Sequence, residues 1–197
     1  MRALFAASVR MMLAVLAMAA APLPLRAAHA DPVIKETITT YPVSGKTAKA
    51  VRTDINARRK AAGGGSGYDS VNHWETHWNF RTVPTAGGCM LSDIVVRLDI
   101  EIVIPELAPS APAALRQRFD AYIEKLMVHE RGHSTLSVAT AREIDAGMRA
   151  LGPMPTCMEM SAAARELGQS LLKEGRQADK DYDARTRHGA TQGATYP

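Results

Sequence analysis

Among the 197 residues, His129-Glu130-Arg131-Gly132-His133 forms a His-Glu-x-x-His pattern. Residues four apart on an α-helix lie about 40° apart around its axis. Both imidazoles can therefore bind one metal ion, while Glu130 stands beside them within reach of a metal-bound water. The chemistry open to such a trio is metal-assisted hydrolysis with the carboxylate as general base. Catalytic zinc takes three protein ligands and keeps another position open, so a third ligand must come from elsewhere. One class is excluded by spacing: His-Glu-x-x-His-x-x-Gly-x-x-His needs Gly at 136 and His at 139, where the chain has Leu136 and Ala139. Glu143, Glu174, Asp183 and His188 remain, the last two in the polar run Tyr182-Asp183-Ala184-Arg185-Thr186-Arg187-His188-Gly189.

The pattern works only on a helix, and the surrounding residues predict one. From Pro112 onwards apolar residues recur with a period near 3.6: Leu115, Phe119, Tyr122, Ile123, Leu126 and Met127, then Leu136 and Ile144. Ser110 is the expected cap, and Gly152-Pro153 the expected end. A straight helix of that length would run about 60 Å, against a radius of gyration of about 15 Å for a compact domain of this size. A break at Gly132 or Gly147 is therefore expected. A second helix from about Ser161 to Asp181 places Leu167, Leu171 and Leu172 inward. If the two return antiparallel from a turn at Gly152, the level of His133 is reached near Glu174, which favours Glu174 as the third ligand.

Ahead of the helices the period is two. Val33 to Val43 is rich in β-branched residues and ends at Ser44-Gly45, the pattern of a strand and turn. Thr47 to Ala62 has the spacing of a short surface helix, and Gly63-Gly64-Gly65-Ser66-Gly67 reads as a plain connector without the lysine of a phosphate loop. Val71 to Val83 places Trp74, Thr76, Trp78 and Phe80 on one face and His73, Glu75, His77 and Asn79 on the other. Met90 to Ile104 repeats the alternation until Pro105, which is expected to stop it. The last two strands can pair as a hairpin across Pro84 to Cys89. On their strand face, His73 and His77 read as solvated residues bordering the cleft rather than as a second metal site. Strands first and helices after predict an α+β fold: a small, mostly antiparallel sheet packed on the long motif helix and a C-terminal helix.

Arg2 and Arg10, the apolar run Met11 to Ala21 and Ala28-His29-Ala30 have the form of an export signal cleaved after Ala30. That apolar run is about half the roughly 20 residues a membrane span needs. The expected layout is a signal peptide over 1–30 and a single domain over 31–197, located in the periplasm or secreted. Residues 31–197 carry 21 basic and 20 acidic side chains, which is not the electrostatic footprint of a general nucleic-acid binder. Two cysteines, Cys89 and Cys157, in an oxidising compartment predict one disulfide; the alternative is a pair of separate buried thiols.

Taken together, the signal, the strand with Trp74 and Trp78, the single cysteine ahead of the long strand and the proline ending it form one set of features. With His129-Glu130-x-x-His133 and the closing Tyr182-Asp183-x-x-Thr186-x-His188-Gly189, they resemble a bacterial family of unknown function, domain-of-unknown-function family 922, described as predicted secreted zinc-dependent proteases. The resemblance covers nearly the whole of residues 31–197. It implies a zincin-like fold and moves the third ligand to His188, with Asp183 next and Glu174 third. Tyr182, a phenol within the same cluster, is the candidate donor to an oxyanion; the alternative is a tyrosine packed at a helix end.

The sequence reading is thus an exported zinc peptidase. Its metal ligands are His129, His133 and His188, Glu130 is its base, Zn2+ its cofactor, and its substrate is a peptide or protein. The alternative is a non-catalytic zinc-binding or interaction module of the cell envelope. Neither the preferred side chains nor the oligomeric state is legible.

Overall fold

The computed structural model describes residues 31–61 and 68–197. The expected export signal and the connector at 63–67 lie outside the described residues. Strand β1 spans Val33–Val43, helix α1 Ala48–Ala61, strand β2 Val71–Thr85, strand β3 Gly88–Leu107, helix α2 Ala113–Ala150 and helix α3 Cys157–Thr186, followed by a 3-10 turn at Ala190–Gln192. The fold is α+β.

β2 and β3 form the expected antiparallel hairpin, closed over Ala86-Gly87 with Thr85 opposite Gly88. β1 runs parallel to β3, from Val33 opposite Arg97 to Val43 opposite Leu107, so the sheet is mixed, in the order β1-β3-β2. Alternation in a strand fixes which face is buried but not the direction of its neighbour, and the parallel pairing was not predicted. β3 also continues through Pro105 to Leu107. Its pairing with β2 ends at Val103, so the proline sits where β3 has a neighbour on one side only and its missing N–H leaves no gap in the ladder.

One sheet face carries the core. Trp74, Leu98 and Ile102 are fully buried against Phe119, Ile144 and Met148 of α2. α1 contributes Val51 and Ile55, which join Val43, Leu107 and Leu115. The opposite face is solvated: His73 and His77 each approach the Glu75 carboxylate there, at 3.4 and 3.5 Å. They lie across the sheet from the core and do not border the cleft described below.

α2 is one unbroken helix of 38 residues, which corrects the expected break. Globular dimensions are the wrong yardstick here, because β3 is itself 20 residues long and, at about 3.3 Å per residue, runs about 66 Å beside it. The glycines serve helix contact instead. Tyr182 of α3 occupies the space a Cβ on Gly132 would need, and Leu167 lies 3.1 Å from the Cβ position of Gly147. The start of α2 is also simpler than expected: Pro112 rather than Ser110 precedes it, with no side-chain cap, consistent with the fixed φ of proline.

The connection between the helices decides their register. Residues 151–156 do not form a tight turn; Met154 exchanges two backbone hydrogen bonds with Cys89, at 2.7 and 3.0 Å, and Cys157 forms the expected disulfide with Cys89. α3 therefore starts tied to the beginning of β3. Its first turn is fixed by a capping box, in which Thr156 accepts from the Glu159 N–H and Glu159 accepts from the Thr156 N–H. From that origin Gly132 meets Tyr182, and Gly175 meets Thr140. Among the described residues no helix is long and apolar enough to cross a membrane.

Candidate metal centre

His129, Glu130 and His133 are buried on α2, at 4, 3 and 6% exposure. Facing them on α3, Asp179, Tyr182, Asp183 and Thr186 follow one another at i, i+3, i+4 and i+7, the spacing of a single helix face. Three atoms converge. His129 Nε2 and His133 Nε2 are 3.3 Å apart, and Asp183 Oδ1 is 3.2 Å from each.

The hydrogen bonds behind these atoms fix what they present. His133 Nδ1 lies 2.7 Å from Asp179 Oδ1; a carboxylate only accepts, so the proton is on Nδ1 and Nε2 offers a lone pair. His129 Nδ1 likewise donates to Gln192 Oε1 at 3.1 Å, while Gln192 Nε2 donates to the Tyr182 hydroxyl at 3.0 Å. In the neutral rings two imidazole lone pairs and a carboxylate oxygen thus face one another, and either a proton on a ring Nε2 or a cation between them relieves the repulsion. The triangle has the right size for such a cation: bonds of about 2.0–2.1 Å in tetrahedral geometry put ligand atoms about 3.3–3.4 Å apart. His129, His133 and Asp183 form a cluster that could hold a metal ion.

The other candidate ligands lie elsewhere. Glu174 is exposed and accepts from Ser170 at 3.2 Å, and Glu143 is exposed on the outside of α2. The register expectation for Glu174 is therefore corrected: it assumed a turn at Gly152, whereas the extended 151–156 connection brings Asp179 and Asp183 to the level of His133. His188 stands behind Asp183, with Nδ1 3.2 Å from Asp183 Oδ1 and Nε2 2.8 Å from the Tyr68 hydroxyl. Geometry thus groups Asp183, and not His188, with His129 and His133. Tyr182 is stacked on His129, with ring centroids 5.2 Å apart, and its hydroxyl donates to the His129 carbonyl at 3.2 Å. It sits in the α2–α3 interface and is not among the residues lining the cleft, which matches the packing alternative.

Electrostatics follow burial. In the metal-free chain, burial lowers the pKa of His129, and the neighbouring His133 pushes the same way. Burial also works against the charged form of His133, but the hydrogen bond and charge of Asp179, with Asp183 and Glu130, outweigh it and raise its pKa. Glu130 is raised by burial, against the opposing hydrogen bond from Ser70. A carboxyl moved upward in this way is better matched to accepting a proton near neutral pH.

The approach to β2 completes the site without any motif of its own in the sequence. Ser70 Oγ donates to the Glu130 carboxylate, and Asn72 Nδ2 donates to the Glu130 carbonyl at 2.8 Å and to Ser134 Oγ at 3.1 Å. Between them Asp69 turns the other way, accepting from Arg52 at 2.7 Å and from Tyr122 at 2.5 Å. That anchor holds the segment while Tyr68, Ser70 and Asn72 face the site at strand spacing. A period-two signal was present at 68, 70 and 72, but it lay hard against the glycine run. The segment and the cluster share one cleft of about 580 Å³, whose far end is formed by Arg52, Tyr122 and Tyr196.

A family model described as "Bacterial protein of unknown function (DUF922)" matches residues 38–189. The chain belongs to that family. The range shared with DUF922 includes both halves of the cluster, His129 to His133 and Tyr182 to Gly189, together with the Ser70 segment. No curated protein and no solved structure matches this DUF922 chain.

Proposed function

We propose that this protein is an exported zinc-dependent peptidase whose metal ligands are His129, His133 and Asp183. The observation that carries the proposal is the convergence of two imidazole nitrogens and a carboxylate oxygen beside Glu130. Two nitrogens and one carboxylate oxygen at tetrahedral spacing suit zinc, and the disulfide suits an oxidising compartment.

When bound there, zinc would act as a Lewis acid on a carbonyl oxygen and acidify a water molecule. The chain's residues supply the rest. Asp179 and Gln192 fix the tautomers of His133 and His129, keeping both Nε2 atoms as ligands. Glu130 takes the proton from the attacking water on its carboxylate and returns it to the leaving amine, so that it ends each cycle as it began. Ser70 holds that carboxylate in place through its hydroxyl. A site kept only for stability has no use for a buried carboxylate held in this way beside a cleft. The test is cleavage of an unbiased peptide library by purified residues 31–197: zinc-dependent hydrolysis, lost with a chelator and restored by zinc, is expected. A stoichiometric zinc protein that cleaves nothing would favour the envelope module.

A further inference from the structure

A tetrahedral transition state places negative charge on the former carbonyl oxygen, and a preorganised donor in the cleft stabilises it. Tyr182 is unsuited to this, because its hydroxyl is spent on His129 and Gln192 inside the helix interface. A second tyrosine is in the cleft. Tyr68 stacks on His188, with ring centroids 4.0 Å apart and planes 32° from parallel, and its hydroxyl is 2.8 Å from His188 Nε2. His188 Nδ1 faces Asp183 Oδ1 at 3.2 Å. The carboxylate has no proton to give, so Nδ1 donates, and in the neutral ring Nε2 accepts from the phenol. Asp183, His188 and Tyr68 thus form a chain leading from a ligand atom to a donor in open cleft.

The backbone is bent to make this chain. Arg187 and His188 both adopt left-handed φ, 51 and 52°, and Gly189 follows at 80°. For residues with a Cβ that conformation is disfavoured, and such strain gathers where a side chain must be aimed. Gly189 lets the chain turn against the His129 ring, where an added Cβ would stand 3.0 Å from Cγ. The helix end is thereby folded back so that His188 faces Tyr68 instead of continuing outward.

We propose that Tyr68 is the catalytic donor to the oxyanion and that His188 is the residue positioning it, an assignment that rests on the peptidase reading above. Tyr68 keeps its proton throughout; its O–H exchanges His188 Nε2 for the developing oxyanion as its acceptor, and returns when product leaves. His188 acts through Tyr68 and is not a metal ligand.

The experiment compares wild type, Tyr68→Phe, His188→Ala and the double variant, each zinc-loaded, for zinc content, kcat, KM and affinity for a phosphinic peptide built on the best library substrate. All four are expected to keep one zinc per chain. Tyr68→Phe should lose about 10²–10³ in kcat, the range for one oxyanion donor, with KM nearly unchanged and phosphinic-peptide affinity falling by a comparable factor. The double variant should be no worse than Tyr68→Phe, because the two residues act as a unit. An active wild type with unaltered kcat in Tyr68→Phe overturns the assignment alone. Because His188 supports Asp183, its loss should weaken zinc binding by no more than about 10–100-fold; loss of zinc as complete as in Asp183→Ala overturns the positioning role and makes His188 a ligand. A wild type that cleaves nothing overturns the peptidase reading, and this assignment with it.

Discussion

The hydroxyl of Tyr182 fills the volume that a Cβ on Gly132 would take, so the last turns of α3 touch the middle of α2 one residue before the second histidine of the motif. That contact and the Cys89–Cys157 anchor fix the α2–α3 register, and the register alone makes Asp183 a neighbour of His133. Gly132→Ala should force Tyr182 aside, costing about 1–3 kcal/mol of stability by overpacking. Zinc affinity should fall about 10–100-fold, as for other losses of support behind a ligand. Urea unfolding and competitive zinc titration measure the two effects; unchanged affinity would show that the contact does not govern the register.

Ligand identity gives a sharper contrast. Asp183→Ala should abolish stoichiometric zinc binding at micromolar protein, because two imidazoles alone make a poor site, whereas Glu174→Ala should leave it intact. Asp179→Asn keeps the ligands and removes the charge behind His133, so it should cost about 10–100-fold in affinity. Elemental analysis after dialysis against a weak chelator reads all three.

Much of this was legible from residue order. The bounds of β1 and the buried faces of β2 and β3 follow from alternation, and α2 from its 3.6 period. What failed was whatever depends on where one element starts relative to another. Helical register points to Glu174 only if residues 151–156 are counted as a turn, whereas Met154 lies extended along Cys89; His188, which the family resemblance puts first, stands behind Asp183. The spacing Asp179-x-x-x-Asp183 does mirror His129-x-x-x-His133, and in hindsight that symmetry is the signal. Ser70 and Asn72 carry no helical or metal-binding pattern; their role arises only because Asp69 is clamped by Arg52 and Tyr122.

Proton competition follows from His133. Its pKa in the metal-free fold lies above the ordinary 6.5 because Asp179 outweighs burial, so the empty site still holds this proton at a pH where a free histidine has lost it. Zinc must displace the proton. Affinity should therefore decline as pH falls, with the decline beginning above pH 6.5 and steepening below it. In the metal-free protein the same shift makes His133 stabilising at low pH, with that contribution lost as pH rises through its folded pKa. Zinc titrations from pH 5.5 to 8.5 check the direction; affinity independent of pH would contradict the Asp179–His133 pairing.

The disulfide makes a separate prediction. Its cysteines are 68 residues apart in sequence, and closing a loop of that size stabilises a fold by about 4 kcal/mol in the chain-entropy picture. Replacing both cysteines with serine should lower the urea midpoint accordingly. Thiol titration of the unfolded, unreduced wild type should find none.

The central claim is that Glu130 is a base beside a bound metal and not a ligand to it. Glu130→Gln, assayed beside wild type for zinc content and for turnover of the same peptide, tests this most directly. The account predicts one zinc per chain in both proteins and a turnover about 10²–10⁴-fold lower in the variant; full turnover by a zinc-loaded Glu130→Gln would contradict it.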